Sequence, residues 1–109
     1  MILDFKQIPE SVMENFKGGE KHLSAHMFTD GKNRIFKGTL VSGASIGFHR
    51  HLTDCETIYI IEGSGKVILD EGSESVQAGQ CHYCPKGSAH SLVNDSDREL
   101  VFFAVVAAQ

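Results

Sequence analysis

The chain has 109 residues, of which 41% are hydrophobic, and its formal net charge is −4 at neutral pH. This length and apolar content suit one domain, residues 1–109, with a sizeable core. No cluster of Lys and Arg stands out, which argues against a nucleic-acid partner, and no apolar run is long enough to cross a bilayer. The first residues lack the layout of a secretory signal, and the odd count of three cysteines fits reduced thiols. We therefore expect a cytoplasmic protein with no membrane partner.

The first predicted element is a short helix over Pro9–Phe16. Proline suits the first turn of a helix, and Lys17-Gly18-Gly19 supplies a stop at its end. We expect this helix to pack on the outside of the domain through Val12, Met13 and Phe16.

The rest of the chain has the pattern of β-strands. Short segments rich in Ile, Val, Phe, Thr and Tyr alternate with turns marked by glycine. Many short strands at close spacing predict an all-β sandwich or barrel. The predicted strands lie near residues 21–28, 34–42, 48–52, 56–62, 65–70, 74–78, 81–84, 89–94 and 99–107.

Two of these strands, 58–61 and 99–107, are apolar on both faces. A strand with one face in water should alternate between apolar and polar residues. The second face is therefore expected to be covered, either by a partner subunit or by the N-terminal helix. We favour a homodimer, because the chain is short and an exposed apolar patch of this size is unusual on a monomer.

A group of histidines and one glutamate has the composition of a metal site. His49 and His51 are two residues apart in a strand, so their side chains share a face and lie roughly 6.6 Å apart along it. Glu56 follows a tight connection at the start of the next strand, and antiparallel pairing would bring its carboxylate beside the two histidines. His90 has to come from a strand that is distant in sequence.

Three imidazoles and one carboxylate suit a divalent transition metal: Mn, Fe, Co, Ni, Cu or Zn. Ca and Mg prefer shells made only of oxygen. Four protein ligands on an ion that favours six leave positions for a ligand. A His-x-His pair alone is weak evidence, since two surface histidines on a loop would look the same.

The spacing around these residues resembles the two cupin motifs. The first motif, G-x5-H-x-H-x(3,4)-E-x6-G, is matched from Gly43 to Gly63, and the second, G-x5-P-x-G-x2-H-x3-N, from Gly79 to Asn94. The motifs and the segment between them cover about half of the chain, and every fixed position matches. The resemblance implies a double-stranded β-helix, the cupin or jelly-roll barrel, here with a short N-terminal helix. It also implies that the metal ligands are His49, His51, Glu56 and His90.

The strand pattern also predicts which residues line a pocket. Ile58 and Ile60 share a face with Glu56, and Leu92 shares one with His90. His82 is a further candidate, either in the pocket or behind a ligand. No inward Arg or Lys can be placed from the sequence.

The segment Cys81-His82-Tyr83-Cys84 invites a redox or zinc interpretation, but neither fits well. A redox pair needs a helix N-terminus, and residues 81 and 84 would face opposite sides of a strand. We interpret these cysteines as small buried residues.

The resemblance does not identify a reaction, because cupins include dioxygenases, decarboxylases, isomerases and proteins that only bind. Open positions on the metal favour an enzyme that acts on a small organic molecule. The lack of a recognisable acid, base or substrate anchor keeps a non-catalytic binding module as the alternative. A regulatory sensor is the weakest hypothesis, since no DNA-binding helix pair accompanies the barrel.

Overall fold

The structure, a computed structural model, describes all residues from 1 to 109 and contains ten strands and one short 3-10 turn. The order and lengths of the strands after residue 21 agree with the sequence prediction to within a few residues. No helix is long and apolar enough to span a membrane. The strands are β1 (Glu10–Glu14), β2 (His22–Thr29), β3 (Asn33–Leu40), β4 (Ser45–Arg50), β5 (Asp54–Glu62), β6 (Ser64–Leu69), β7 (Gly72–Gln77), β8 (Cys81–Cys84), β9 (Ala89–Val93) and β10 (Leu100–Ala108), and the turn is Phe16–Gly18.

The strands form two antiparallel sheets that enclose one core. The larger sheet has the order β1-β2-β3-β10-β5-β8, and the smaller has the order β4-β9-β6-β7. Alternate side chains of each strand point between the sheets, as the period of two requires. The all-β prediction is therefore confirmed. Fifteen buried residues form the core: Leu23, Ala25, Phe36, Leu40, Ala44, Ile46, Ile58, Ile60, Val67, Val76, Leu92, Leu100, Phe102, Ala104 and Val106.

The predicted N-terminal helix is wrong. Residues 10–14 form strand β1, which pairs with His22–His26 of β2 at the edge of the larger sheet. A helix of eight residues, Pro9–Phe16, would be marginal in water, whereas the edge of β2 offers backbone partners to an extended segment. Val12 stays 54% exposed, while Met13 packs against the core.

The turn after β1 lies directly on the backbone of β4. A Cβ atom at Gly47 would overlap the carbonyl of Lys17, and a Cβ atom at Gly19 would overlap the carbonyl of Ser45. Only glycine permits so close an approach of two backbones. The contact carries Phe16 and Lys17 to one end of the barrel, where Phe16 packs against the core.

The outer face of the larger sheet keeps part of its apolar surface. Phe5 covers Phe103 of β10, with ring centroids 6.0 Å apart. Tyr59 and Ile61 on neighbouring β5 remain 45% and 44% exposed. Val12 lies on this outer face only at its far edge, on β1, and Met13 and Phe16 pack against the core, so the N-terminal segment leaves much of the face open.

We expect the protein to form a homodimer through this face, because burying it removes apolar surface from water. Sedimentation velocity at low micromolar concentration should show a species of twice 11.9 kDa, and the double variant Tyr59→Lys, Ile61→Lys should shift it toward the monomer. The matched control is Phe48→Lys, which places a charge on an exposed apolar residue of β4 in the other sheet. A wild-type species of 11.9 kDa would show that no dimer forms.

Candidate metal centre

Two adjacent strands of the smaller sheet bring His49 and His90 together. β4 pairs with β9, and His49 lies directly opposite His90 across the ladder. The register shifts between Ile46 and His49, so a bulge adjusts the direction of the β4 side chains at this point. His51, just beyond the end of β4, lies on the same side as His49, as the alternation predicted.

Glu56 reaches the histidines by another route than the one predicted. β5 does not pair with β4, and it lies in the larger sheet between β10 and β8. The carboxylate therefore crosses the space between the two sheets. The connection at residues 51–53 is a crossover from one sheet to the other, and sequence spacing cannot distinguish it from a hairpin. The predicted proximity of Glu56 to the histidines is confirmed, but the predicted pairing of β5 with β4 is wrong.

The four groups converge on one point. The centroids of the rings of His49, His51 and His90 are 4.9 Å apart in all three pairs. The Nε2 atoms of His51 and His90 are 3.0 Å apart, and Oε1 of Glu56 lies 3.2 Å from the first and 2.9 Å from the second. All of the possible ligand atoms lie within 4.8 Å of one another.

This donor set fits a divalent transition-metal ion. Ligand atoms about 2.1 Å from a shared ion and at right angles to one another lie about 3.0 Å apart. The observed separations of 2.9–3.2 Å match that value. Three imidazoles with one carboxylate suit Mn, Fe, Co, Ni, Cu or Zn. Three of the four donor atoms are thus spaced as ligands of one ion, and a ring nitrogen of His49 lies within 4.8 Å of them.

The far nitrogen of each imidazole is held by a different partner. Nδ1 of His49 lies 2.7 Å from the carbonyl of Gly47, and Nδ1 of His51 lies 2.6 Å from Oδ1 of Asp54. Both Nδ1 atoms donate to these oxygens, so Nε2 is the nitrogen of each ring that would bind an ion. Nε2 of His51, which donates to Glu56 at 3.2 Å, would give up that proton when an ion binds.

His82 holds the third ring from behind. Its Nε2 lies 2.9 Å from Nδ1 of His90. Burial lowers the pKa of His82 to about 4, so the ring is neutral at pH 7 and can accept a hydrogen bond from His90. Two positions were predicted for His82, in the pocket or in contact with the far side of a metal ligand. The contact with Nδ1 of His90 fits the second position better.

The electrostatics of the cluster favour an ionised carboxylate. Burial raises the pKa of Glu56, but hydrogen bonds from His51 and His90 outweigh burial and hold that pKa at about 2. The hydrogen bond to Glu56 in turn raises the pKa of His51. Burial lowers the pKa of His49, which keeps that ring neutral.

A small cavity opens beside the cluster, with a volume of about 20 Å³. This is room for little more than one water molecule. Its walls are mainly apolar, but two cations contribute to them. The lining residues are Phe16, Lys17, Met27, Arg34, Phe36, Ile46, His49, His51, Glu56 and Val106.

Arg34 and Lys17 are the residues of this cavity that the sequence prediction missed. Arg34 is two residues before the buried Phe36 in β3, so alternation alone indicates that it faces inward. Arg34 and Val106 also line a second, open polar cleft of about 200 Å³. Lys17 was missed because its turn was assigned to the end of a helix.

The other predicted lining residues lie in the core. Ile58, Ile60 and Leu92 are fully buried between the sheets and are not among the residues that line the cavity. Ile58 is paired across the ladder with His82. Their contact with a ligand stays a prediction.

The cysteine pair follows the predicted alternation. Cys84 is buried, as expected, but Cys81 is exposed, so the interpretation of both as buried residues is wrong for Cys81. Cys84 lies near His82 and His90, at distances that could also hold a metal ion. Burial raises the pKa of Cys84 to about 11, which leaves the thiol protonated near neutral pH.

Replacing the metal ligand His90 and replacing His82, which holds the His90 ring, should lower the affinity for Mn²⁺ by different amounts. His90→Ala should abolish binding of Mn²⁺, whereas His82→Ala should weaken it about 10- to 100-fold, because only the orientation of His90 is lost. Calorimetric titration measures the affinities, and circular dichroism checks that the barrel is folded. His22→Ala on β2 is the control. Full occupancy in His90→Ala would contradict the site.

Metal affinity should fall as the pH decreases through the range in which histidine takes up a proton. Neutral imidazole is the form that binds metal, and the pKa of His51 is raised, so a proton competes for this ring first. Lowering the pH fills that ring with a proton and displaces the ion. Elemental analysis after dialysis between pH 8 and pH 4 measures the loss. Unchanged occupancy at pH 4 would count against imidazole ligands.

Comparison with known proteins places the chain in a family. A family model described as "Cupin domain" matches residues 36–106. The oxalate-binding protein of Thermotoga maritima is 30% identical over 113 residues, which cover 97% of this chain and 93% of that protein.

Solved structures show the same fold. A protein described as a predicted oxalate decarboxylase from Thermotoga maritima has a TM-score of 0.92 at 24% identity, covering 100% of both chains. A polyketide cyclase from Streptomyces resistomycificus has a TM-score of 0.81 at 20% identity, covering 100% of this chain and 80% of that one. Since the family model spans most of the chain and the relative aligns along nearly its whole length, the protein is a member of the cupin family.

Proposed function

We propose that the protein binds a small carboxylate of the oxalate class, through a divalent transition-metal ion on His49, His51, Glu56 and His90 and through Arg34. The ion, when bound, would act as a Lewis acid that attracts carboxylate oxygens. Arg34 supplies a second, fixed anchor for the same ligand. The site is a binding site first, and turnover is treated as a separate question.

The observation that carries this proposal is the unpaired guanidinium of Arg34. The Arg34 side chain is half-buried, lines both the cavity beside the cluster and the open polar cleft, and takes part in none of the ion pairs of the molecule. A guanidinium presents a planar fork of donors that matches a carboxylate. A cation that faces a cavity without a protein partner is suited to an anionic ligand.

The size of the cavity limits the ligand to a few atoms. The cavity beside the cluster has a volume of about 20 Å³, so any ligand larger than a water molecule requires the lining side chains to move aside. A two-carbon acid demands a smaller movement than a sugar or an aromatic ring. Phe36, Met27 and Val106 in its wall would exclude water around the bound carboxylate, which strengthens its attraction to Arg34. The name of the Thermotoga maritima relative, an oxalate-binding protein, supports the same ligand class.

Decarboxylation is the second candidate function, favoured by the structural similarity to a predicted oxalate decarboxylase. Conversion of oxalate to formate and carbon dioxide consumes one proton, which a side chain near the ligand would have to deliver. Glu56 is the only carboxyl group in the cavity lining, and His51 and His90 already hold it as the carboxylate. The cavity therefore supports binding more strongly than turnover.

Removal of the guanidinium should weaken oxalate binding. Arg34→Met keeps the length of the side chain and should lower the affinity of the Mn²⁺-loaded protein for oxalate about tenfold or more, because a hydrogen-bonded ion pair is lost. Calorimetric titration measures this affinity. Mn²⁺ content should be the same as in the wild type, since Arg34 is not in the cluster.

Lys37→Met is the matched control, because it removes a cation from the exposed side of the same strand. Equal affinities in Arg34→Met and Lys37→Met would refute the role of Arg34. Release of ¹³C-formate from ¹³C-oxalate, followed by NMR, distinguishes turnover from binding. Sustained release by the wild type would favour the decarboxylase.

A further inference from the structure

The segment that closes one side of the cavity has an unusual backbone. Asn15, Lys17 and Lys21 have φ angles of 49°, 57° and 56°, and these are the chain's only non-glycine residues with positive φ. Residues with a Cβ atom disfavour this left-handed region. Backbone strain that persists in one segment requires a surrounding structure that holds it there, and such segments cluster at functional sites.

Several contacts hold the segment in this conformation. The backbone amide of Asn15 donates to the carbonyl of Lys21 at 2.7 Å, and its side-chain amide donates to the carbonyl of Gly19 at 3.0 Å. The ammonium of Lys21 donates to the carbonyl of Ser42 at 2.6 Å. Together with the close approach of Gly19 and Gly47 described above, these contacts place the turn on β4 in one position.

The turn presents Phe16 and Lys17 to the cavity. Phe16 is half-buried, and the ammonium of Lys17 lies 5.6 Å from the centroid of its ring. Lys17 itself is exposed and takes part in none of the ion pairs, although the chain as a whole is acidic. The ammonium of Lys17 therefore lies over a ring that itself lines the cavity.

The charges around the cavity are unbalanced in favour of anions. Arg34 and Lys17 are the basic residues among those that line it, and Glu56 is the one acidic residue. A bound divalent ion would add two further positive charges. One carboxylate leaves this excess largely in place, whereas a second carboxylate on the same ligand offsets more of it.

We infer that Lys17, held at the rim by the strained turn, makes the site selective for dianionic over monoanionic small acids. The inference rests on the proposed function, since it concerns the ligand of the same site. Arg34 and the ion bind the inner carboxylate group. Lys17 attracts the charge that faces the mouth of the cavity. Because Lys17 is exposed, its contribution is electrostatic and weakens with salt.

The test compares oxalate with glycolate, a monoanion that has the same two-carbon frame. Both are titrated into the Mn²⁺-loaded protein at 20 and 500 mM NaCl. Lys17→Met should lower the affinity for oxalate about fivefold at low salt and that for glycolate about twofold or less. Lys17→Arg should have the oxalate affinity of the wild type. At high salt, the difference in oxalate affinity between Lys17→Met and the wild type should nearly vanish. Lys37→Met, which changes the net charge equally, is the control.

A second variant tests the turn itself. Gly19→Ala forces a Cβ atom against the carbonyl of Ser45 and should displace the turn from β4. It should lower the ratio of oxalate to glycolate affinity as Lys17→Met does, with Mn²⁺ content as in the wild type.

The outcomes separate the two proposals. If the wild type does not bind oxalate, the proposed function fails and this inference fails with it. If oxalate binds but Lys17→Met and Lys37→Met have the same ratio of affinities, or if Lys17→Met weakens both ligands equally, only the selectivity of Lys17 is refuted.

Discussion

The structure depends on the contact between a carboxylate of one sheet and imidazoles of the other. Glu56 is 5% exposed and charged, and burying such a group is costly unless opposite or donating groups surround it. His51 and His90 supply that environment at 3.2 and 2.9 Å. The pairing requires β5 to face the ends of β4 and β9 in one register. The same contact that makes the buried charge tolerable therefore assembles the metal centre.

The support of the cluster comes from separate parts of the fold. The carbonyl of Gly47, the carboxylate of Asp54 and the ring of His82 each hold the far nitrogen of one imidazole. These partners lie on β4, β5 and β8, so the orientation of the rings depends on both sheets. A site built on strands in this way is more rigid than one built on loops. Because the far nitrogens are already held, the rings need little reorientation when a metal ion binds.

The region around the cavity combines two features that neither sheet has alone. β3 contributes Arg34 from the interior of the larger sheet, and the N-terminal turn contributes Phe16 and Lys17 by resting on β4 of the smaller sheet. A chain with net charge −4 thus carries a positively lined cavity at one end of its barrel. Local charge, and not net charge, is what a small anion encounters close to the site.

The sequence by itself determined the all-β class, the approximate strand boundaries and the four residues of the cluster. Strand alternation and motif spacing are local properties, which is why His49 and His51 could be assigned to one face. Only the tertiary structure decided that β4 and β5 belong to different sheets, because a short connection can be a hairpin or a crossover. It also decided that residues 10–14 form a strand, because their pairing with the edge of β2 overrides a marginal helical preference. Lys17 reached the cavity through the approach of its turn to Gly47, a contact between segments about thirty residues apart that no local pattern encodes.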